Sequence, residues 1–265
     1  MPRFKLVIEY AGTKYSGWQI QKNARTVQGE IDRAIREATG RREFELYGSG
    51  RTDAGVHALE QVAHLELYTN LAPESLRRRL NDELPADIHI LTIDKAPHRF
   101  HARHDAVSRS YLYQISRRRT AFAKPFVWWI REPLDLHAMR RAAEAFVGRQ
   151  DFAAFSDDDP DEKSTVVVLE RLELVEAGAL VLVRVQGSHF LWKMVRRIVG
   201  VLAAVGRGEL KPADAARLLS GRGDERRGAA TPAELTAPAA GLFLEKVCYK
   251  GDPAPGPVRP VIAIE

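Results

Sequence analysis

The sequence predicts an α+β fold of two related α/β halves, with a mixed, largely antiparallel sheet flanked by helices and an active-site cleft between the halves. Strand-like and helix-like segments alternate along the 265 residues. Several neighbouring strands are connected as hairpins, which favours this class over a doubly wound parallel sheet. The order strand, helix, strand pair occurs twice. We therefore expect halves at residues 1–105 and 106–250, followed by a Pro-rich tail at 251–265.

The first half begins with a strand from Phe4 to Tyr10, where the side chains alternate and β-formers dominate. A helix should follow between a Thr26 cap and Gly40, because its apolar residues recur on one face. The other elements predicted here are strands at Phe44 to Tyr47 and Gln61 to Leu67, a short helix from Glu74 that stops before Pro85, and a strand at Ile88 to Ala96.

The second half begins with an alternating strand from Ser110 to Ser116. Asp135 should cap a helix that Gly148 stops. The remaining elements are a hairpin of Val166 to Val175 with Ala179 to Gln186, a helix from about Phe190 to Val205, a short helix from Pro212 to Gly221, and a strand from Leu242 to Tyr249. Ser156 to Ser164 and Arg222 to Pro232 are predicted loops. The tail either is disordered or docks as an extended strand.

The composition is typical of a globular protein, with 45% hydrophobic and 28% charged residues. The single cysteine, Cys248, excludes an intramolecular disulfide and a cysteine-based zinc site, and we expect a buried thiol. The longest apolar run is about eight residues, far below the ~20 that a membrane span needs. The N-terminal stretch reaches Glu9 too early for a secretory signal, so we expect a cytoplasmic protein without membrane association.

Charge is unevenly distributed around a net value of +5. Residues 96–131 hold eight Lys/Arg and one acid, and residues 184–211 hold six Lys/Arg and one acid, whereas residues 151–162 hold six acids and no base. Aromatic residues interleave with the first basic stretch. If the two stretches converge, they form a positive surface for nucleic acid; the alternative is scattered, solvated charge.

The densest functional signal is GSGRTDAGVHA, from Gly48 to Ala58. Its glycines permit a tight backbone and the close approach of a ligand. Arg51 beside Asp53 would keep the carboxylate ionised where a ligand excludes water, as a nucleophile or general base requires. The alternative is a structural turn in which Asp53 caps backbone amides. The segment lacks the pattern of a P-loop.

GSGRTDAGVHA resembles the catalytic signature of the TruA family of tRNA pseudouridine synthases. So does YAGTKYSGWQIQKNARTVQ, from Tyr10 to Gln28. Further matches follow in the family's order: FHARHDAVSRSYLY, DFAAF, FLWKMVRRIVG and APAAGLFLEKVCY. Together the motifs cover essentially the whole chain, and their combination is specific although each alone is weak.

The resemblance implies five roles, one of which has two candidate residues. Asp53 matches the family's catalytic aspartate, Arg51 an arginine that holds the target nucleotide out of the stack, and Tyr111 a tyrosine against the target uracil. Arg196 matches the basic residue that pairs with the aspartate. Either Leu242 or Leu244 matches a leucine of the base pocket. The implied reaction converts uridines at positions 38 to 40 of the tRNA anticodon stem-loop to pseudouridine. It needs no cofactor or metal, and the implied enzyme is a homodimer whose basic cleft spans both subunits.

Other functions are weighed on the same residues. A catalytically silent RNA-binding module would not need the intact set of Asp53, Arg51 and Tyr111, and an N-glycosidase would need a positioned water. His98, His101 and His104 are spaced by threes, but with no carboxylate set nearby we expect phosphate or core roles rather than a metal site. Trp18, Trp128 and Trp129 are expected in the core or at a subunit interface. The loop after DFAAF is acidic and lacks an expected arginine.

Overall fold

The computed structural model describes residues 1–158, 164–221 and 230–265. It is a mixed α+β fold, which confirms the predicted class. In chain order the described elements are β1 (Arg3–Tyr10), α1 (Val27–Thr39), β2 (Glu45–Gly48), β3 (His57–Glu66), α2 (Pro73–Glu83), β4 (Ile88–Ala96), β5 (Ala106–Ser116), β6 (Trp128–Trp129), α3 (Leu136–Ala143), β7 (Gly148–Asp151), β8 (Val166–Ala177), β9 (Leu180–Gly187), α4 (Met194–Gly206), α5 (Pro212–Leu219) and β10 (Leu242–Tyr249). Short 3₁₀ turns connect several of them.

The chain divides into two compact units by its internal contacts. The first comprises Met1–Val107 and Phe243–Ala254, and the second comprises Ser108–Leu242 and Pro255–Glu265. The division into halves at residues 1–105 and 106–250 stays a prediction. The two units differ from it at residues 243–250, which belong to the first unit.

The first unit contains a mixed sheet in the strand order β4-β1-β3-β10, with β2 also paired to β3. β1 is antiparallel to both of its neighbours. β10 runs parallel to β3, and this pairing sets Phe243 opposite His57 and Leu244 opposite Ala58. The last strand of the chain is therefore anchored on the strand that follows the GSGRTDAG loop.

Two helices belong to this unit, and their ends follow the predicted signals. The Thr26 side chain accepts a hydrogen bond from the Gly29 N–H at 3.2 Å at the start of α1. Gly40 ends the helix in the left-handed conformation, at φ 67°, which glycine adopts without a Cβ clash. The predicted apolar face of α1 is buried, and α1 packs on α2, which packs on β4.

The second unit contains strands in the order β5-β9-β8-β7, with β6 parallel to β5. The predicted hairpin of β8 and β9 is confirmed, with Gly178 at φ 58° in its turn. α3, predicted to extend to Gly148, ends at Ala143 and gives way to a 3₁₀ turn. α4 begins at Met194 rather than near Phe190, because Lys193 has a φ of 63° that interrupts a helical backbone.

The end of the tail docks on the second unit in an irregular conformation. The Ala179 N–H donates to the Ile264 carbonyl at 2.8 Å, and the Val261 N–H donates to Gln114 Oε1 at 2.7 Å. Ile264 is buried among residues of β5 and β9. Residues 255–265 therefore dock, but they do not form the extended strand of the second alternative. Over the ranges given above, no helix has the length and apolarity to cross a membrane.

Candidate active site

The predicted catalytic motif forms a loop of residues 49–56 between β2 and β3, which we call the Asp53 loop. Arg51 is exposed, Thr52 is buried, and Asp53 is half-buried. Asp53 thus reaches the surface of the first unit beside a buried neighbour, Thr52. This position suits a carboxylate that meets a bound substrate.

The Asp53 loop rests on the segment that follows β1. The Trp18 N–H donates to the Thr52 carbonyl at 3.1 Å, and the Gly55 N–H donates to the Tyr15 carbonyl at 3.2 Å. These two bonds bracket Asp53 on either side. Because the anchors are backbone groups, they fix the course of the loop independently of its side chains.

Two glycines make this contact possible. A Cβ on Gly12 would lie 1.9 Å from the Val56 carbonyl oxygen, and one on Gly17 would lie 2.5 Å from the Thr52 carbonyl oxygen. Gly17 also has a φ of 92°, in the left-handed region that glycine tolerates. The stretch from Tyr10 to Gln28 that carries part of the resemblance is therefore a support for the Asp53 loop. This supporting role is not predicted from the sequence, although Gly12 and Gly17 are the signal that could have indicated it.

The opposite end of the Asp53 loop is held by β3. Ser49 Oγ donates to Gln61 Oε1 at 2.7 Å, and Gln61 Nε2 donates to the Gly50 carbonyl at 3.1 Å. Ser49 and Gln61 are both buried, so these bonds satisfy polar groups that water does not reach.

His57, the histidine of the motif, is a structural residue. Its Nδ1 atom accepts a hydrogen bond from the Gly12 N–H at 3.0 Å. Its ring stacks on Phe243 with 4.8 Å between ring centroids, and only 1% of the residue is exposed. It joins β3 to both the N-terminal segment and the last strand, and it does not face solvent.

The predicted substrate-binding residues of the second unit lie on β5 and α4. Tyr111 is half-buried, and its ring packs edge-on against the Phe190 ring, with 5.0 Å between the ring centroids. Arg196 Nε donates to the Ala237 carbonyl at 2.7 Å, and the Ala237 N–H donates back to the Arg196 carbonyl at 3.1 Å. The side chain of Arg196 is thereby directed by the segment that precedes β10.

The neighbouring Tyr113 is bonded into the interior of its unit. It is fully buried and its hydroxyl donates to the Pro238 carbonyl at 2.7 Å. Burial raises the pKa of its phenol well above the usual value. Of the two tyrosines on this strand, Tyr111 is the one with exposed surface.

The two candidate leucines, Leu242 and Leu244, are 5% and 2% exposed and occupy alternate positions of β10. Their burial does not select one of them. Arg51, Asp53 and Leu244 belong to the first unit, and Tyr111, Arg196 and Leu242 belong to the second. Their convergence on one substrate stays a prediction.

An ion-pair cluster at the start of α4 was not predicted. The Asp157 carboxylate accepts from Lys193 Nζ at 2.6 Å and also pairs with the buried Arg197 guanidinium. The hydrogen bond from Lys193 makes the largest contribution to the lowered pKa of Asp157. Asp158 accepts from the Trp192 N–H at 2.9 Å. Asp157 thus neutralises bases of its own chain. Residues 159–163 of that loop, and 222–229 of the other predicted loop, lie outside the described residues.

The regularly spaced histidines lie partly in contact with one another. The rings of His101 and His104 are 4.2 Å apart, and His101 Nδ1 accepts from the N–H groups of Arg103 and His104 at 3.2 Å each. No group of three or more His, Cys, Asp or Glu side chains within residues 1–158, 164–221 and 230–265 could hold a metal ion. Cys248 is buried, as predicted.

Comparison with known proteins identifies the family of the chain. A family model described as tRNA pseudouridine synthase matches residues 6–105 and 142–250. The chain is 42% identical over 252 residues to tRNA pseudouridine synthase A of Rhodopseudomonas palustris strain BisB18, covering 94% of this chain and 100% of the relative. It is 41% identical to the protein of that name from Citrifermentans bemidjiense, covering 94% and 98%. A chain in the solved structure of a Cbf5-Nop10-Gar1 complex is similar with a TM-score of 0.32 and 12% identity, covering 75% of this chain and 54% of that chain.

Proposed function

Because the chain belongs to the tRNA pseudouridine synthase family, and is thus an isomerase acting on tRNA, we propose that it converts uridines at positions 38 to 40 of the anticodon stem-loop to pseudouridine, with Asp53 as the catalytic carboxylate. The observation that carries the assignment of Asp53 is its setting. The carboxylate is half-exposed on a loop whose backbone is anchored on both sides of it. Such anchoring holds a reactive group in place before the substrate binds.

The reaction is an isomerisation without added reagents. The N1–C1′ glycosidic bond breaks, the uracil turns, and a C5–C1′ bond forms while C5 loses a proton and N1 gains one. The positive charge that develops at C1′ favours an adjacent carboxylate, as in glycoside cleavage. Asp53 acts by attack at C1′, by attack at C6, or by removal of a sugar proton, and these three routes stay open.

A stacked uridine has to leave the stem before Asp53 reaches it. Base flipping costs a few kcal/mol. Contacts to the extruded nucleotide, and a side chain that fills the vacated space, offset this cost. Arg51 is exposed and two residues from Asp53, a position suited to filling the vacated space. Tyr111 offers an aromatic face to the uracil, and Leu242 or Leu244 offers an apolar one. Arg196 supplies the positive charge that the resemblance pairs with the catalytic aspartate.

The charge distribution supports binding of RNA. Residues 106–131 contain no Asp or Glu and six Lys/Arg. In the middle of that stretch, Phe122 is 97% exposed. Exposed aromatic rings among cations are typical of surfaces on which unpaired bases stack.

The proposal includes a homodimer in the cytoplasm, with the tRNA lying across both subunits. Trp129 is 41% exposed, and a large apolar side chain left in solvent favours burial against a partner. A two-fold axis would join the same surface of each subunit. Sedimentation in dilute solution tests this part: an active monomer of about the 29.7 kDa chain mass would contradict it.

The site of modification is tested with anticodon stem-loops that carry a single uridine, labelled with tritium at C5, at position 38, 39 or 40. We expect tritium release at each position, and a product of unchanged mass from the same stem-loop without the label. A stem-loop with its only uridine elsewhere in the stem is the matched control and should release none. An abasic product would instead indicate a glycosidase, and binding without release would indicate a silent RNA-binding protein.

A further inference from the structure

We infer that Tyr10 is a positioning residue for Asp53, acting through Thr52; the inference rests on the proposed function. The Tyr10 hydroxyl and Thr52 Oγ1 are 2.8 Å apart, joined by a hydrogen bond. Tyr10 is 4% exposed and Thr52 is 6% exposed. Thr52 immediately precedes Asp53, so this bond connects the body of the sheet to the reacting carboxylate.

Thr52 is fixed at two points by the N-terminal segment. Its side chain meets Tyr10, while its carbonyl accepts from the Trp18 N–H. The bond to the Thr52 carbonyl alone would leave the Thr52 backbone free to rotate about its neighbouring single bonds. The second bond, to the Thr52 side chain, removes that freedom. The orientation of the peptide that leads into Asp53 is therefore set by both contacts together.

Tyr10 is directed toward the Asp53 loop by the alternation of β1, which buries Leu6, Ile8 and Tyr10 on one face of the strand. The pairing of β1 with β3 shifts register between Ile8 and Tyr10, where Tyr10 faces Ala58. The step from Ile8 to Tyr10 spans two residues of β1 and three of β3, so the extra residue lies in β3 and the Tyr10 side chain keeps the face that the strand gives it. The Tyr10 ring also contacts Trp18 at 6.0 Å between ring centroids, so the hydroxyl is held by packing as well as by the strand.

Removal of the Tyr10 hydroxyl should affect turnover and not substrate binding. A displacement of about 1 Å at a reacting group can cost roughly 100-fold in rate. The hydroxyl is enclosed, and it meets Thr52 rather than solvent. We expect Tyr10→Phe to lower kcat about tenfold and to change KM less than twofold.

Three further variants separate positioning from loss of stability. Tyr249→Phe is the matched control, since Tyr249 belongs to the same unit, is buried, and donates its hydroxyl to the Ala102 carbonyl at 2.6 Å. It should lose a comparable amount of thermal stability and keep its kcat within twofold. Thr52→Val removes the other partner of the hydrogen bond and should lower kcat as Tyr10→Phe does; it takes the place of Tyr10→Phe if that variant does not fold. Thr52→Ser keeps the hydroxyl and should therefore have a higher kcat than Thr52→Val, near that of the wild type.

The experiment measures tritium release from unfractionated tRNA labelled at uridine C5, so that it does not depend on which uridine is modified. The inference is overturned if a folded Tyr10→Phe enzyme has wild-type kcat or only a raised KM. In that case the proposed function still stands, provided that Asp53→Asn is inactive. An active Asp53→Asn enzyme removes the carboxylate from the reaction and overturns both. A lowered kcat in Tyr10→Phe and Thr52→Val, with normal kcat in Tyr249→Phe and Thr52→Ser, supports the inference.

Discussion

Gly12 and Val56 approach each other so closely that a Cβ on the glycine would lie 1.9 Å from the valine carbonyl oxygen. The atom in the way belongs to the backbone, so a larger side chain cannot be accommodated by a change of rotamer. The end of the Asp53 loop and the start of β3 would have to move. This contact leaves no room for a side chain between the Asp53 loop and the segment that supports it.

Gly12→Ala should therefore displace the Asp53 loop. We expect at least a tenfold loss of kcat/KM and a lower Tm, because the added methyl group overlaps a carbonyl that the fold holds in place. Gly256→Ala is the matched control, since no atom lies within 4 Å of its Cβ position. Steady-state kinetics and thermal unfolding of both variants check the prediction, and an active Gly12→Ala enzyme with wild-type Tm would contradict it.

Tyr111→Phe should slow the chemical step more than it weakens binding. The variant keeps the ring that stacks and removes only the hydroxyl, so we expect single-turnover rates to fall about tenfold with tRNA affinity within twofold of wild type. Tyr68→Phe, at a tyrosine that is 60% exposed on the first unit, is the control. Unchanged single-turnover rates would leave Tyr111 as a stacking platform only.

Binding of tRNA should weaken steeply with salt, because each phosphate contact releases counterions. Phe122→Ala should weaken binding about tenfold without altering the slope of log Kd against log salt, since the residue is uncharged and stacking is worth ~1–3 kcal/mol per base. Tyr68→Ala removes an exposed ring outside both basic stretches and should bind normally. A flat salt dependence would contradict the proposed basic surface, and normal binding by Phe122→Ala would remove that ring from it.

His64 should make stability depend on pH. The pKa of His64 is lowered to about 4, mainly because the residue is buried and also because Arg3 and His101 place positive charge nearby. The unfolded chain, with a histidine pKa near 6.5, then binds the proton more readily. Stability is thus fully present above pH ~6.5 and is lost as pH falls toward 4. Urea unfolding from pH 7 to 4.5 should show this loss in the wild type and a smaller one in His64→Asn. Parallel curves for the two proteins would contradict the assignment.

Local signals in the sequence predicted most of the fold. The Thr26 cap and Gly40 fixed the limits of α1 to within a residue, because caps act through neighbouring backbone groups. The two-residue β6 was missed, since it is too short to show a period. The start of α4 was placed near Phe190, because nothing in the apolar spacing indicates the left-handed backbone of Lys193.

The site was predicted less completely than the fold. The motif identified Asp53 and Arg51, and the resemblance identified Tyr111 and Arg196. The support that Tyr10 and Trp18 give to Thr52 depends on pairing between distant segments, for which local spacing carries no signal. The same holds for the Asp157 pairs with α4, since an acidic run is indistinguishable from a solvated loop until its partners are known.

The central claim is that Asp53 carries the reaction, and one comparison tests it most directly. Wild type and Asp53→Asn are assayed for tritium release from tRNA labelled at uridine C5, with tRNA affinity measured in parallel. We predict release by the wild type, with a product of unchanged mass from the same tRNA without the label, and no detectable release by a variant that still binds tRNA normally. Residual activity within about tenfold of wild type, a loss of only ~1.4 kcal/mol in barrier, would contradict the account.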